Sequence, residues 1–160
     1  MLRLERINHE NLDEVLALDV STEQKRFVAD NARSIIEAYI AISHGGHAFP
    51  FVVYNGETAV GFVMIGFGTD DEWADAPEIA KDNYNIWRLM IDKDHQGQGF
   101  GKGALQLALD FIRTFPCGRS EHCWVSYSPE NSAAEKLYRS FGFEKTDCFD
   151  GGEQIAVLEL

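Results

Sequence analysis

Ile91-Asp92-Lys93-Asp94-His95-Gln96-Gly97-Gln98-Gly99-Phe100-Gly101-Lys102-Gly103 joins two apolar segments of different periodicity. Before it, Tyr84 to Ile91 is an apolar run of strand length. After it, Gly103 to Arg113 places Leu105, Leu107, Ala108, Leu109, Phe111 and Ile112 at helical spacing. A strand, a glycine turn and a helix therefore follow one another. A helix N-terminus leaves backbone N–H groups unpaired and carries partial positive charge. Glycines let the backbone bend and approach an anion closely. The segment suits a pyrophosphate cradle, and the alternative is a glycine-rich connection with no ligand.

Two familiar phosphate loops do not fit. A Walker A loop needs G-x-x-x-x-G-K-[ST]. Counting back from Gly101-Lys102, its first glycine falls on Gln96, and Gly103 replaces the Ser/Thr. A dinucleotide fingerprint needs G-x-G-x-x-G. Gly97-Gln98-Gly99-Phe100-Gly101-Lys102 puts Lys102 at the third glycine, and the register starting at Gly99 ends on Ala104, which fits only the variant that allows Ala.

Outward from this segment the chain reads as one mixed α/β unit, residues 1–160. Leu2 to Ile7 alternates as an opening strand does. Asn11 stands where it can cap a helix carrying Leu12, Val15, Leu16 and Leu18. A second helix covers about Asn31 to Ile42. Phe49 to Tyr54 and Thr58 to Phe67 flank the hairpin signal Asn55-Gly56. Gly61, Gly66 and Gly68 predict bulges or close backbone approaches in the return strand. Thr69 to Asn83 is an acidic loop or short helix. Cys123 to Tyr127 is a strand, Asn131 to Phe141 a helix stopped by Gly142, and Phe143–Phe149 with Gln154–Leu160 a closing hairpin. The order β α α β β β α β α β β predicts a mixed sheet with helices on both faces.

The helix after the last long strand carries its own spacing. Asn131, Ala134 or Glu135, and Tyr138 share one helical face. An amide at the helix start can bond an amide of a ligand, a small Ala134 leaves it room, and a tyrosine hydroxyl two turns on can act as a general acid. The structural readings are a helix cap for Asn131 and a core aromatic for Tyr138.

Gln96-x-x-Gly99-x-Gly101 after a strand, followed by Asn131-x-x-Ala134-x-x-Leu137-Tyr138-x-x-x-Gly142-Phe143, resembles the GNAT superfamily of N-acetyltransferases. The resemblance implies an α/β (mixed α+β) fold: a twisted, mostly antiparallel sheet of about seven strands flanked by about four helices. It implies acetyl-CoA as cosubstrate and no metal. It assigns the CoA site to Leu89, Met90, Ile91, Gln96, Gly97, Gln98, Gly99, Phe100, Gly101, Lys102, Asn131, Ala134 and Tyr138. Amides of Gln98 to Lys102 would hold the pyrophosphate, and the Leu89–Ile91 backbone would pair with the pantetheine arm. Tyr138 would protonate the departing thiolate. A backbone N–H of the same strand would stabilise the oxyanion formed by direct attack of the amine.

Val60 to Met64, Arg88 to Asp92, Ser21 to Asn31 and Gly151-Gly152-Glu153 also resemble the bacterial spermine/spermidine (diamine) branch of the superfamily. That implies a small-molecule amine acceptor, a polyamine. Other readings are a protein N-terminus, a lysine or an aminoglycoside as acceptor, or a module that binds CoA without turnover. Asp70, Asp71, Glu72 and Trp73 precede the cofactor strand and can hold a cationic amine by ion pairs and cation–π contact. With Tyr84, these carboxylates are also the candidates for the base. A solvated loop is the alternative.

Composition excludes several classes. A net charge of −12 opposes binding to nucleic acid. No apolar run approaches the ~20 residues of a membrane helix, and Met1 to Arg6 has no secretory pattern. Three cysteines, Cys117, Cys123 and Cys148, suggest reduced thiols and a cytoplasmic protein. His44-Gly45-Gly46-His47 and Cys117, His122, Cys123 fall short of a metal set. Arg88, in a buried strand, requires a partner. A homodimer is compatible with the sequence but is not read from it.

Overall fold

The computed structural model describes residues 1–160. Seven strands form one sheet: β1 (Leu2–Arg6), β2 (His47–Asn55), β3 (Thr58–Phe67), β4 (Tyr84–Ile91), β5 (His122–Tyr127), β6 (Glu144–Asp150) and β7 (Glu153–Glu159). Their order across the sheet is β1-β2-β3-β4-β5-β7-β6. Every neighbouring pair is antiparallel except β4 and β5. Four α-helices complete the fold: α1 (Leu12–Ala17), α2 (Asn31–Ser43), α3 (Phe100–Ile112) and α4 (Ser132–Ser140). The chain order and the sheet with helices on both faces are as the sequence predicts.

Alternation along the strands builds two cores. Phe51, Val53, Val63 and Ile65 point to one face, where they meet Leu105, Ala108, Leu109 and Ile112 of α3. Val52, Tyr54, Phe62 and Met64 point to the other and meet Val15 of α1 and Ala38 of α2. Period two in a strand supplies both sets from consecutive residues. Asp30 caps α2 through its side chain, and Asn131 caps α4 in the same way. Asn11 has a different task. Its side chain accepts from Asn8 N and donates to Arg6 O, tying the end of β1 to α1 without a side-chain cap.

Three differences from the sequence reading have local causes. Helix α3 starts at Phe100, three residues early, because Gly99 takes φ +83 and turns the chain directly into the helix. Strand β2 starts at His47 and runs through Pro50, which pairs with Met64. The β1 ladder ends at Phe51, so on that side Pro50 has no neighbour to miss its N–H. The bulge between β3 and β4 arises in β4: Met64 faces Arg88 and Ile65 faces Ile86, leaving Trp87 as the extra residue.

Candidate active site

Strands β4 and β5 pair only at Tyr84–Cys123 and Asn85–Trp124. Beyond those positions they diverge, and the β4 edge from Ile86 to Ile91 has no strand partner on that side. The bulge at Trp87 bends β4 at the point where the divergence begins. A cavity of about 1010 Å³ opens there. Leu89, Met90 and Ile91 form its β4 wall, and Asn131, Ala134 and Tyr138 of the α4 segment form the wall opposite. The structure thus brings together two stretches of the predicted cofactor set that lie some forty residues apart in sequence.

The glycine loop continues from this wall at Gln96. The Gln96 side chain is spent on structure: its amide donates to Ile91 O at 2.9 Å and pairs with Gln24 in both directions, 2.9 and 3.1 Å. It locks the loop to the end of β4. Gly97 (φ +77) and Gly99 (φ +83) have left-handed backbones, and nothing lies within 4 Å of where their Cβ atoms would be. The start of α3 is therefore an open helix N-terminus without a side-chain cap. Unpaired N–H groups and a bare glycine surface fit a pyrophosphate. Lys102 is exposed in the first turn.

Behind the loop, Asp92 is 7% exposed. It accepts from Asp19 N at 2.9 Å and Asp94 N at 3.0 Å, with His95 Nδ1 at 3.4 Å. Burial pushes its carboxyl up, but these donors outweigh burial and hold it below the ordinary range. Nothing in the sequence pattern marked Asp92 as a hub, because its main partner lies 73 positions away.

Tyr138 is 7% exposed, stacked on Tyr127 at 5.9 Å and set edge-on to Phe143 at 5.5 Å. It is both core aromatic and cavity residue: the ring packs, while the hydroxyl bonds no protein group and opens on the cavity. Burial first, then the nearby Cys123, Glu153 and Tyr127, push its pKa up, so the hydroxyl is held protonated. Asn131 spends its Oδ1 on Ala134 N at 3.2 Å, which leaves its Nδ2 free on the cavity wall.

The acceptor-side candidates divide. Asp70, Glu72 and Trp73 line the cavity. Trp73 is stacked on Trp124 at 6.2 Å, which fixes the loop against β5. Asp71 is exposed and off the cavity wall; its backbone N–H binds His44 O at 3.1 Å. Tyr84 is a correction. Its side chain is fully buried, and its hydroxyl donates to Gly118 O at 2.9 Å and accepts from Cys117 N at 2.8 Å. It anchors the loop before β5 and faces no acceptor, because it lies where β4 and β5 are still paired.

Arg88 finds its partner. Its Nη2 lies 2.7 Å from Glu37 Oε2, and the other Glu37 oxygen takes Arg33 Nε at 3.1 Å. Its Nη1 donates to Trp87 O at 3.0 Å, while Nε is buried without a partner. Glu37, Ser126, Asp150 and Glu153, which sequence reading passed over, join Arg88 on the cavity wall. They come from α2, β5 and the β6–β7 hairpin, and only the sheet order places them together. No group of three or more His, Cys, Asp or Glu residues is placed to hold a metal ion. No helix is long and apolar enough to cross a membrane.

The profile of the Acetyltransferase (GNAT) family matches residues 12–143. The chain is 27% identical to the spermine/spermidine N(1)-acetyltransferase of Bacillus subtilis, over 99% of each chain. It is 27% identical to the ribosomal protein bS18-alanine N-acetyltransferase of Escherichia coli, over 74% of this chain and 86% of that one. Its fold is similar to that of an aminoglycoside acetyltransferase in complex with coenzyme A, with a TM-score of 0.75 at 14% identity over 99% of this chain and 95% of that one. Structures of this fold have been solved in complex with coenzyme A, which places the chain's fold among those of acyl-CoA-binding transferases. The chain belongs to the GNAT acetyltransferase family and is an acetyl-CoA-dependent N-acetyltransferase.

Proposed function

We propose that the chain acetylates a polyamine such as spermine or spermidine, by direct attack of a primary amine within a ternary complex. The observation that carries this reading is the polarity of the cavity. At the Gln24–Gln96 end, toward the glycine loop, stand Lys25 and Arg26, each already paired, with Asp19 at 2.8 Å and Glu130 at 2.9 Å. At the other end stand Glu37, Asp70, Glu72, Asp150 and Glu153, with Arg88 bound to Glu37. The first end is balanced in side-chain charge and leaves the open α3 N-terminus to meet an anionic cosubstrate, whereas the excess of carboxylates at the second suits a polycation. Trp73 adds an aromatic face for an ammonium group. The relatives named for spermine and spermidine match along the whole chain, which supports the same acceptor class.

The residues divide the work. The open α3 N-terminus and the Gly97–Lys102 backbone hold pyrophosphate. The free β4 edge at Leu89 and Met90 and the Asn131 Nδ2 hold the pantetheine amides. Acetyl-CoA supplies the activated acyl group. A β4 N–H at the bulge meets the charge that develops on the carbonyl oxygen. Tyr138 gives its proton to the leaving sulfur. Free Cys117, Cys123 and Cys148 accord with a reducing compartment such as the cytoplasm.

A thiol-release assay over an amine panel tests the acceptor. Spermine and spermidine should give the highest kcat/KM. An enzyme that ignores spermine, spermidine and putrescine, yet acetylates a peptide or an aminoglycoside, would overturn the polyamine reading.

A further inference from the structure

The β6–β7 hairpin turns through Gly151 and Gly152 at φ +53 and +85, so Asp150 and Glu153 face each other directly across a two-residue turn. Like charges placed opposite one another on a hairpin destabilise it. Neither carboxylate forms an ion pair, and both line the acetyl-transfer cavity. The fold thus keeps an unfavourable pair at the site, which calls for a function. The turn lies next to the end of β5, where Tyr127 faces Gln154 and Ser126 faces Ile155. Glu153 is close enough to Arg88 on β4, and to Tyr138 on α4, for each pair to perturb the other. With Gln154 paired to Tyr127 at the end of β5, Glu153 lines the cavity at the gap between the diverging strands, in the neighbourhood of Arg88 and Tyr138.

We propose that Glu153 is the general base that takes a proton from the acceptor's ammonium group, with Asp150 beside it holding a cationic nitrogen in place. This rests on acetyl transfer occurring in this cavity and does not depend on the acceptor being a polyamine. An alkylammonium has a pKa of about 10.4, so on the order of one molecule in 10³ is neutral near pH 7. Attack requires the lone pair. The ammonium gives one N–H proton to a Glu153 carboxylate oxygen, which keeps it through the attack and passes it to solvent only after the acetyl group has been transferred. The neutral nitrogen then forms the N–C bond to the thioester carbonyl carbon. The C–S bond breaks, sulfur receives the Tyr138 proton, and the second N–H proton lost from nitrogen restores Tyr138. One proton is released overall, with an amide and a free thiol as products.

The surroundings suit the role. Burial raises the Glu153 carboxyl above the ordinary range; Arg88 pulls it back, Asp150 raises it, and the Ser126 hydroxyl lowers it. Burial also raises Asp150. Tyr138 on α4 is near enough to feel the Glu153 charge, Glu37 is held at the cavity by Arg88, and Asp70 and Glu72 line the same cavity. A carboxylate raised toward the operating pH is a better proton acceptor than an ordinary one.

The test is the pH dependence of kcat/KM for whichever amine the wild type acetylates fastest. Glu153→Gln should lower kcat/KM roughly 10²- to 10⁴-fold near pH 7. The deficit should shrink as pH rises toward the amine's own pKa, since the variant can use only neutral amine. A deficit that is constant with pH, or none, overturns the proposal. Glu153→Ala should regain activity with added formate; Ala without rescue counts against a base at this position. Wild type alone decides if neither variant folds. With a base, its profile levels off between the Glu153 pKa and the amine pKa. A continuous unit-slope rise across that interval would overturn the assignment.

Discussion

Tyr138 has its ring fixed by Tyr127 and Phe143, and its hydroxyl, which bonds no protein group, is the proton donor of the proposed mechanism. Tyr138→Phe keeps the packing and removes only the proton. We expect kcat to fall by about 10- to 10³-fold while CoA affinity, measured by calorimetry, changes little. The lower end is favoured physically, because a thiolate leaves readily and the buried hydroxyl is a weak acid. Unchanged single-turnover rates would return Tyr138 to packing alone. Glu153 carries the opposite balance of stability and function. Its folded carboxyl is raised, chiefly by burial, above the ordinary 4.5 it takes when unfolded. Between those two values the folded chain binds the proton more tightly, so stability declines as pH rises through that window. The Tm of Glu153→Gln should therefore match wild type below pH 4.5 and exceed it near pH 8, as read by thermal melts at both pH values. A Tm difference independent of pH would mean that Glu153 is not raised in the folded state.

At the scale of elements, the β4–loop–α3 unit is held from behind by Asp92 and left bare in front by its glycines. Gly101→Glu puts a side chain and a like charge at the proposed pyrophosphate cradle. A Cβ there would meet only Ile91 Cγ1 and Leu137 Cδ2, both at 3.9 Å, so the fold should persist. Calorimetry should find CoA binding lost, with circular dichroism unchanged; full affinity would refute the cradle. Asp92→Ala strips the acceptor from Asp19 N and Asp94 N, whose hydrogen bonds to it are part-buried. It should cost about 1–3 kcal/mol in urea unfolding and weaken CoA binding as well. The Asp92 carboxyl is below the ordinary range when folded, so its contribution is complete above the unfolded value of 3.8 and is lost as pH falls through the folded one. The difference in stability between wild type and Asp92→Ala should accordingly narrow in acid. The sequence shows the glycine loop and the α4 helix plainly because each is local: its chemistry lies within a dozen residues. Asp92–Asp19, Arg88–Glu37 and the nearness of Glu153 to Arg88 are contacts of high sequence separation, and no periodicity encodes them. Tyr84 misleads for the same reason. An apolar strand residue with a hydroxyl reads alike whether it faces a ligand or, as here, the backbone at Gly118 and Cys117.

Across the whole molecule, the charge of −12 is spread unevenly, and the cavity carries a share of it at its acceptor end. The element order in sequence was enough to predict helices on both faces. The strand order that sets β7 between β5 and β6, and so brings Glu153 to the site, was not legible from it. That placement makes the acceptor end acidic on two sides: Asp70 and Glu72 from the loop before β4, Asp150 and Glu153 from the hairpin. A polycation would gain from all four, and from the field of the whole chain, because an extended chain of ammonium groups can meet carboxylates on both sides of the cavity. The field extends roughly 30 Å at 0.01 M salt and about 8 Å at 0.15 M, so its steering part is screened as ionic strength rises. KM for spermine should therefore rise several-fold over that interval, while KM for acetyl-CoA, held largely by backbone N–H groups, responds less. The double change Asp70→Asn with Glu72→Gln separates the local part from the global one. Asn keeps an oxygen for the bond that Asp70 accepts from Glu72 N at 2.8 Å, so the loop should keep its shape. KM for spermine should increase more than KM for a monoamine of similar length, and the salt slope for spermine should become shallower. Equal increases for both amines, or a salt slope unchanged by removing two charges, would place the distal ammonium groups elsewhere on the chain.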